Sequence, residues 1–437
     1  MVPPPPSVSA RRTGGPTCIF APGRRGPAAD RPLPWRCAKG AAVANDGTAA
    51  ERPRSPIRIG FACHWTQPPQ QSWSGTPWHL RAALQQVADV QDLPLELSAP
   101  LRQVARVLGA RRTPHGWTST WRHGALSRAA IRRQLRAATD REHPDLVLQI
   151  QDLGVTSIPF AVLQDLSYGL LLDAYGPDGV PHFRAFGKRR IDRLRRAQDR
   201  VYAEATVLLP MSEWLAAHLR SHGVPGDRVR VVNPGANAAV PVGTPVPARR
   251  VGSERRLLFV GRDFDTKGGA QVVAAHQLLR RELGPDVTLT VAGPAQWPLR
   301  APVPDGVTFL GRVPGAQVGE LMDAHDLFVM PSRMEGFGIA FVEALTRGLP
   351  CIGRDACAMP EIIRHDDGGR LVRSEDPDEL AALVADALAD DALYAACAAA
   401  ADGRRRHFSW DRAASEVVAA AEQSLRVRPG EGAAAAG

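Results

Sequence analysis

A chain of 437 residues, 44% apolar and 23% charged, has an ordinary globular composition and enough length for two domains with sizeable cores. No apolar run approaches the roughly 18 residues of a membrane span, so a soluble protein is expected. The net charge of +9, nearly all of it Arg, points to anionic partners: nucleic acid, a membrane surface or phosphorylated small molecules.

Residues 1–54 are dense in Pro, Gly, Ala and Arg without periodicity, and read as a disordered extension or a start assigned too early. The opening M-V-P-P-P-P lacks the apolar core of a signal peptide. Order begins with a short strand at 57–62. A loop then leads to a helix over 77–87, with Thr76 at its cap and Pro77 in its first position. Apolar runs at 93–97, 145–150, 159–163, 205–209 and 229–232 alternate with helical patterns near 125–138, 183–203 and 213–222. Strands separated by helices imply a parallel sheet covered on both faces. Residues 233–250 hold four prolines and read as a linker. A second series follows, with strands at 256–260, 287–292, 307–310, 327–330, 351–352 and 369–372. Its helices are expected near 270–282, 317–324, 339–347, 378–389 and 393–401. A last helix over 411–426 closes the fold, and 427–437 is expected to be a disordered tail. The fold class is α/β, with two Rossmann-like domains facing each other and a ligand in the cleft outside the carboxyl ends of their strands.

The six cysteines form no C-x-x-C pair and have no histidine at zinc-ligand spacing; Cys351 and Cys357 read as buried thiols, and the pattern suits a reducing cytoplasm. The histidines, among them His64, His79 and His182, are scattered and receive no role.

The chemistry concentrates in residues 331–343, P-S-R-M-E-G-F-G-I-A-F-V-E. Two carboxylates, Glu335 and Glu343, have seven residues between them, and a Gly-Phe-Gly turn joins a buried strand to a helix. Backbone N–H groups at such a helix start favour an anion by about 0.3–1 kcal/mol. The carboxylates would repel a phosphate and suit sugar hydroxyls instead. Neutralising charge comes from a second loop, 259–269, where Arg262 offers a planar fork of donors and Lys267 a compact point charge, a pairing suited to a diphosphate.

V-G-R-x(4)-K-G followed by P-S-x-x-E-G-F-G-x(4)-E resembles the retaining glycosyltransferases of family 4, which have the GT-B fold. Gly311-Arg312-Val313-Pro314, Met359-Pro360-Glu361-Ile362-Ile363 and Ser212-Glu213-Trp214 with 231–235 resemble the same family. The likeness covers about residues 57–425. It implies an acceptor domain over 55–240 and a nucleotide-sugar donor domain over 250–410. Arg262 and Lys267 would hold the donor diphosphate, and Glu335 would face the sugar hydroxyls. Gly336, Phe337, Gly338 and Ile339 would present backbone N–H groups, Glu343 would bind the ribose, and Val313 would lie near the base, with Gly261 at the turn beneath. No metal or other cofactor is implied. The resemblance further implies that a donor phosphate oxygen takes the acceptor proton while the acceptor attacks from the same face.

The first half departs from the family pattern, because the loop after its first strand, 71–77, lacks a paired glycine. Gly75 and Thr76 remain candidates for the donor phosphates, and Trp73 and Trp78 for an acceptor pocket. Asp165, after the strand at 159–163, is the candidate that faces the reaction centre; Gln149 and Asp152 are weaker ones. The basic helix over 184–200 sets eight cations (Arg184, Lys188, Arg189, Arg190, Arg193, Arg195, Arg196, Arg200) against Asp192 and Asp199. It reads as a solvated face or as peripheral contact with the inner membrane face. Nucleic acid is not expected, since the stretch matches no recognition motif. The implied activity is transfer of a hexose from a nucleotide-diphosphate sugar to a hydroxyl acceptor: a glycan, a lipid-linked acceptor or a small molecule. Two alternatives stand beside it, a sucrose-synthase- or phosphorylase-like enzyme of the same fold and a non-catalytic nucleotide-sugar-binding module.

Overall fold

The computed structural model describes residues 56–65, 68–113, 116–175, 186–246, 255–364 and 367–426. The extension at 1–54, the tail at 427–437, Arg184, His182 and the end of the linker lie outside them.

The first series begins with β1 (Arg58–Ala62), α1 (Thr76–Val87), β2 (Asp89–Leu93), α2 (Ala99–Leu108), β3 (Ala110–Thr113) and β4 (Gly116–Ser119). It continues through α3 (Ala125–Glu142), β5 (Leu146–Ile150), β6 (Phe160–Gln164), α4 (Tyr168–Asp173), α5 (Lys188–Glu204), β7 (Val207–Pro210) and α6 (Glu213–Ser221). Five strands form one parallel sheet in the order β2-β1-β5-β6-β7, and β3 pairs with β4 as an antiparallel hairpin. Every residue of β5, β6 and β7 is buried, Gln149 and Gln164 included, as in a parallel sheet covered on both faces. Side-chain caps start two of the helices: Ser167 accepts from the Leu170 N–H at α4, and Ser212 from the Leu215 N–H at α6.

The second series runs β8 (Arg255–Val260), α7 (Gly269–Leu283), β9 (Val287–Ala292), β10 (Val307–Gly311), α8 (Gly315–Ala324), β11 (Leu327–Val329) and α9 (Ile339–Leu345). It ends with β12 (Cys351–Arg354), α10 (Met359–Ile362), β13 (Gly369–Val372), α11 (Pro377–Ala389), α12 (Asp391–His407) and α13 (Trp410–Arg426). Its sheet has the order β10-β9-β8-β11-β12-β13, all parallel.

One apolar cluster runs through both sheets, from Ile59, Leu148 and Leu209 to Phe259, Phe328 and Ile352, and a second, with Leu135, Val147 and Val162, covers the other face of the first sheet. α13 returns to the first sheet and packs on α1, where the Trp410 and His79 rings stack with centroids 6.1 Å apart. The linker passes beneath this contact at Gly235, where a Cβ would stand 2.6 Å from the Trp410 nitrogen.

Local expectations fail where pairing overrides pattern. The strand expected at 93–97 lies at Asp89–Leu93, because its partner β1 sets the register from Arg58 opposite Asp89; Leu95 and Leu97 are buried beyond it. The run 229–232 makes only one isolated bridge, Val229 with Leu208. Helix α2 and the β3–β4 hairpin are elements that sequence reasoning did not place. No helix among the described residues is long and apolar enough to cross a membrane.

Candidate functional site

Three charged side chains meet where the ends of the two sheets face each other. Lys267 comes from the loop after β8. That loop lies tight against the segment after β11: Gly268 has φ +76°, and a Cβ there would approach the Pro331 carbonyl oxygen to 2.5 Å. The Arg333 N–H also donates to the Thr266 carbonyl at 2.8 Å. Held so, Lys267 Nζ donates to Glu335 Oε2 at 2.5 Å, with the two side chains 23% and 13% exposed. Ser332 Oγ reaches the same oxygen at 3.4 Å.

Asp165 reaches this pair from the opposite sheet, one residue past β6. It lies so close to Gly336 that a Cβ on the glycine would stand 2.9 Å from both the carbonyl and the carboxyl oxygen of Asp165. Burial pushes the Asp165 carboxyl up to about 6; the Glu335 carboxylate pushes the same way, while its own backbone N–H and Lys267 oppose. Asp165, Lys267, Glu335 and Gly336 therefore come together.

Glu343 behaves otherwise. Its carboxylate accepts from the Ala238 N–H at 3.2 Å, so in this structure it holds the start of the linker. Burial raises its pKa, against the opposing pull of the Ala238 and Asn237 N–H groups. Arg262 is exposed two residues past β8, and Val313 half-buried two past β10. Gly338 caps α9 with φ +101°, a conformation that favours glycine. Phe337 is buried edge-on against Phe408 at 6.2 Å, and Ile339 is half-buried. Gly261 is buried, because a Cβ there would meet Lys267 Cγ at 2.9 Å.

Across the cleft, Trp73, Ser74 and Gly75 adopt φ of 50°, 55° and 88° in succession. Two consecutive non-glycine residues in the left-handed region are costly, and such strain gathers at functional loops. Asn237 Nδ2 donates to the Ser74 carbonyl at 2.6 Å and ties this loop to the linker.

A cavity of about 260 Å³ opens beside that loop, at the carboxyl ends of β1 and β5. Trp73 lines it with His64, Arg122, His123, Asp152 and Tyr168, whereas Trp78 is not among its walls. Asp152 is bonded to Arg128 and Gln198, each at 3.0 Å, and His123 Nδ1 meets the Tyr168 hydroxyl at 2.6 Å. Burial pushes the Cys63 thiol in the wall up to about 12. Gln149 serves the backbone, accepting from Leu153 and Gly154 and donating to the Gly154 carbonyl. Sequence reasoning missed Arg122, His123 and Tyr168, which reach the cavity from a single 3-10 turn and a six-residue helix that carry no motif.

Two further placements matter. Glu361 accepts from the Glu213 N–H at 2.8 Å and the Trp214 N–H at 2.5 Å, joining α10 to the start of α6 across the cleft. On the basic helix α5, Arg190 donates to Thr120, Arg195 to Asp192 and Asp199, and Arg196 pairs with Asp192. Lys188, Arg189, Arg193, Arg196 and Arg200 are exposed on it. Cys351 is buried as expected, while Cys357 is only half-buried, with φ 56°.

Residues 247–404 match the family described as "Glycosyl transferases group 1". A D-inositol 3-phosphate glycosyltransferase from Thermobispora bispora is 28% identical over 276 residues, covering 58% of this chain and 61% of that protein. Matched segments span only 44% to 64% of the curated relatives' own length. Among solved structures, sucrose-phosphate synthase from Thermosynechococcus elongatus aligns over 86% of this chain and 100% of its own, with TM-score 0.59 and 19% identity. HepE from Anabaena, solved with UDP and glucose, aligns over 83% of this chain and 98% of its own, with TM-score 0.53 and 16% identity. At these identities the likeness shows the fold, which is GT-B.

Proposed function

From the premise that this chain belongs, through residues 247–404, to the group 1 glycosyltransferases, we propose that it transfers a hexose from a nucleotide-diphosphate sugar to a hydroxyl acceptor, with retention at the anomeric carbon. The observation that carries this reading is the meeting of Lys267 and Glu335 with Asp165 from the other sheet.

In this reading residues 250–410 hold the donor and 55–240 the acceptor. An ammonium has three donors. With one on Glu335, Lys267 keeps two for the diphosphate, and Arg262 closes on it from solvent. Glu335 and the backbone of 336–339 fix the sugar, Glu343 meets the ribose once it releases Ala238, and the loop at Val313 covers the base. Gly75, at the start of α1, approaches the phosphates from the other side. Asp165, carrying a proton more readily than an ordinary carboxyl, hydrogen-bonds the sugar at the reacting face. The bond from the anomeric carbon to the diphosphate breaks as the bond to the acceptor oxygen forms on the same face. The acceptor proton passes to the departing phosphate oxygen. Lys267, Arg262 and the backbone N–H groups stabilise the leaving charge in a water-poor cleft, so catalysis is positioning plus electrostatics without a metal. The 260 Å³ cavity beside Trp73 is assigned to the acceptor. The protein acts in the cytoplasm, and any contact with an anionic membrane face runs through Lys188, Arg189, Arg193 and Arg200.

A thermal-shift panel of UDP-, GDP- and ADP-sugars tests the donor assignment, since a ligand at 100 times its Kd adds about 2.7 kcal/mol. One base class should stabilise the wild type and lose that effect in Lys267→Ala. Release of the nucleoside diphosphate with a free-sugar and lipid acceptor panel then tests transfer; tight binding without any turnover would instead favour a non-catalytic module.

A further inference from the structure

We propose that Asp173, His218 and His222 form a binding site for a divalent transition-metal ion of the zinc class, bracing α4 against α6. One donor atom from each residue lies within 4.8 Å of the other two. His218 Nδ1 stands 3.5 Å from Asp173 Oδ2, close to the roughly 3.3 Å between two ligands of a tetrahedral ion with 2.0–2.1 Å bonds. The imidazole centroids of His218 and His222 are 4.0 Å apart, the outcome of placing histidines four residues apart at the end of one helix.

Local chemistry prepares both rings. His222 Nδ1 lies 2.8 Å from the His218 carbonyl oxygen. A carbonyl only accepts, so Nδ1 carries the hydrogen and Nε2 holds the lone pair a metal needs. His218 turns Nδ1 toward Asp173 Oδ2. Room for this ring comes from Gly169 on α4, where a Cβ would stand 2.5 Å from His218 Nε2. Alanine would favour that helix by about 1 kcal/mol, so the glycine sacrifices helix stability and admits the imidazole.

The surroundings suit a cation. Both α4 and α6 end here, turning the negative ends of their backbones toward the site. Asp199 on α5 feels His222 electrostatically and is bonded to Arg195 at 2.7 Å, which adds a second carboxylate at the border. Two imidazoles and one carboxylate select zinc, nickel or copper over calcium or magnesium, with water completing the coordination. The site would act on the reaction only through position: α4 begins three residues after Asp165, and α6 begins where Glu361 docks.

The test uses the full chain stripped with EDTA and titrated with zinc chloride by calorimetry, and with Co²⁺ followed by visible absorption. His222 and Asp173 are exposed, so His222→Ala and Asp173→Asn should fold. The wild type should bind one zinc per chain beyond any thiol-bound metal, melt at a higher temperature with zinc, and show Co²⁺ d–d bands. His222→Ala should lose the bands and at least about 10–100-fold in affinity, the loss that follows even from removing an outer-shell partner. Wild type that neither binds zinc nor shows the bands at micromolar metal overturns the site. Binding in both variants equal to wild type also overturns it, and assigns the metal to cysteines.

Discussion

Replacing Asp165 with Asn removes a group the fold holds at a disadvantage. Its carboxyl lies at about 6 against an ordinary 3.8; at 1.36 kcal/mol per pH unit this corresponds to about 3 kcal/mol of penalty on the ionised form. Because Asp165 keeps part of its surface in solvent, the expected gain in stability at pH 7 is smaller, about 1–2 kcal/mol. The sign follows from linkage. Well below pH 3.8 the carboxyl is protonated in folded and unfolded chains alike, and Asp165→Asn should match the wild type. Between pH 4 and 6 the unfolded chain loses its proton first, so wild-type stability falls relative to the variant; above pH 6 the difference is constant. Urea denaturation at pH 3.5, 5 and 7.5 measures it. In parallel, turnover should fall at least about 100-fold if the carboxyl serves the reacting sugar. A variant less stable than wild type at pH 7.5, or a stability difference that does not change with pH, would refute the burial argument.

Lys267→Ala and Glu335→Ala should each reduce sugar transfer to background while circular dichroism stays native. Each should cost about 1.5–3 kcal/mol because a half-buried charge loses its partner, and the double variant should cost less than the sum. Gly336→Ala places a methyl group 2.9 Å from two oxygens of Asp165 and should destabilise by about 1–3 kcal/mol, with a loss of donor-dependent melting that an unchanged Tm would contradict. Glu361→Ala strips two N–H groups of their acceptor at α6; denaturation should show a loss of about 1–3 kcal/mol, and Glu361→Gln, which restores one acceptor, should fall between.

The two-sheet architecture was legible because its signals are local. Buried parallel strands such as 327–329 are continuous apolar runs, 146–150 is broken only by Gln149, and the helices between strands carry periodic apolar faces. The motif loops were legible for a related reason: glycines at 268 and 338 answer to positive φ, and Gly261 to the Lys267 side chain packed against it. Strand β2 was misplaced because its residues, D-V-Q-D-L, are polar, and only pairing with β1 defines them as a strand.

By itself the sequence determined the fold class, the loops bearing Lys267 and Glu335, and Asp165 as the residue to watch. Tertiary structure alone decided which groups touch. It paired Lys267 with Glu335 across 68 residues, set Asp165 against Gly336, and turned Glu343 onto the linker. It also brought Asp173 beside His218 and His222, histidines that looked scattered along the chain. The physical reason is the range of the forces involved. Capping, periodicity and glycine geometry act within a few residues and leave a trace in their order, whereas burial, ion pairing and metal-ligand spacing act between segments that only the packed core brings together.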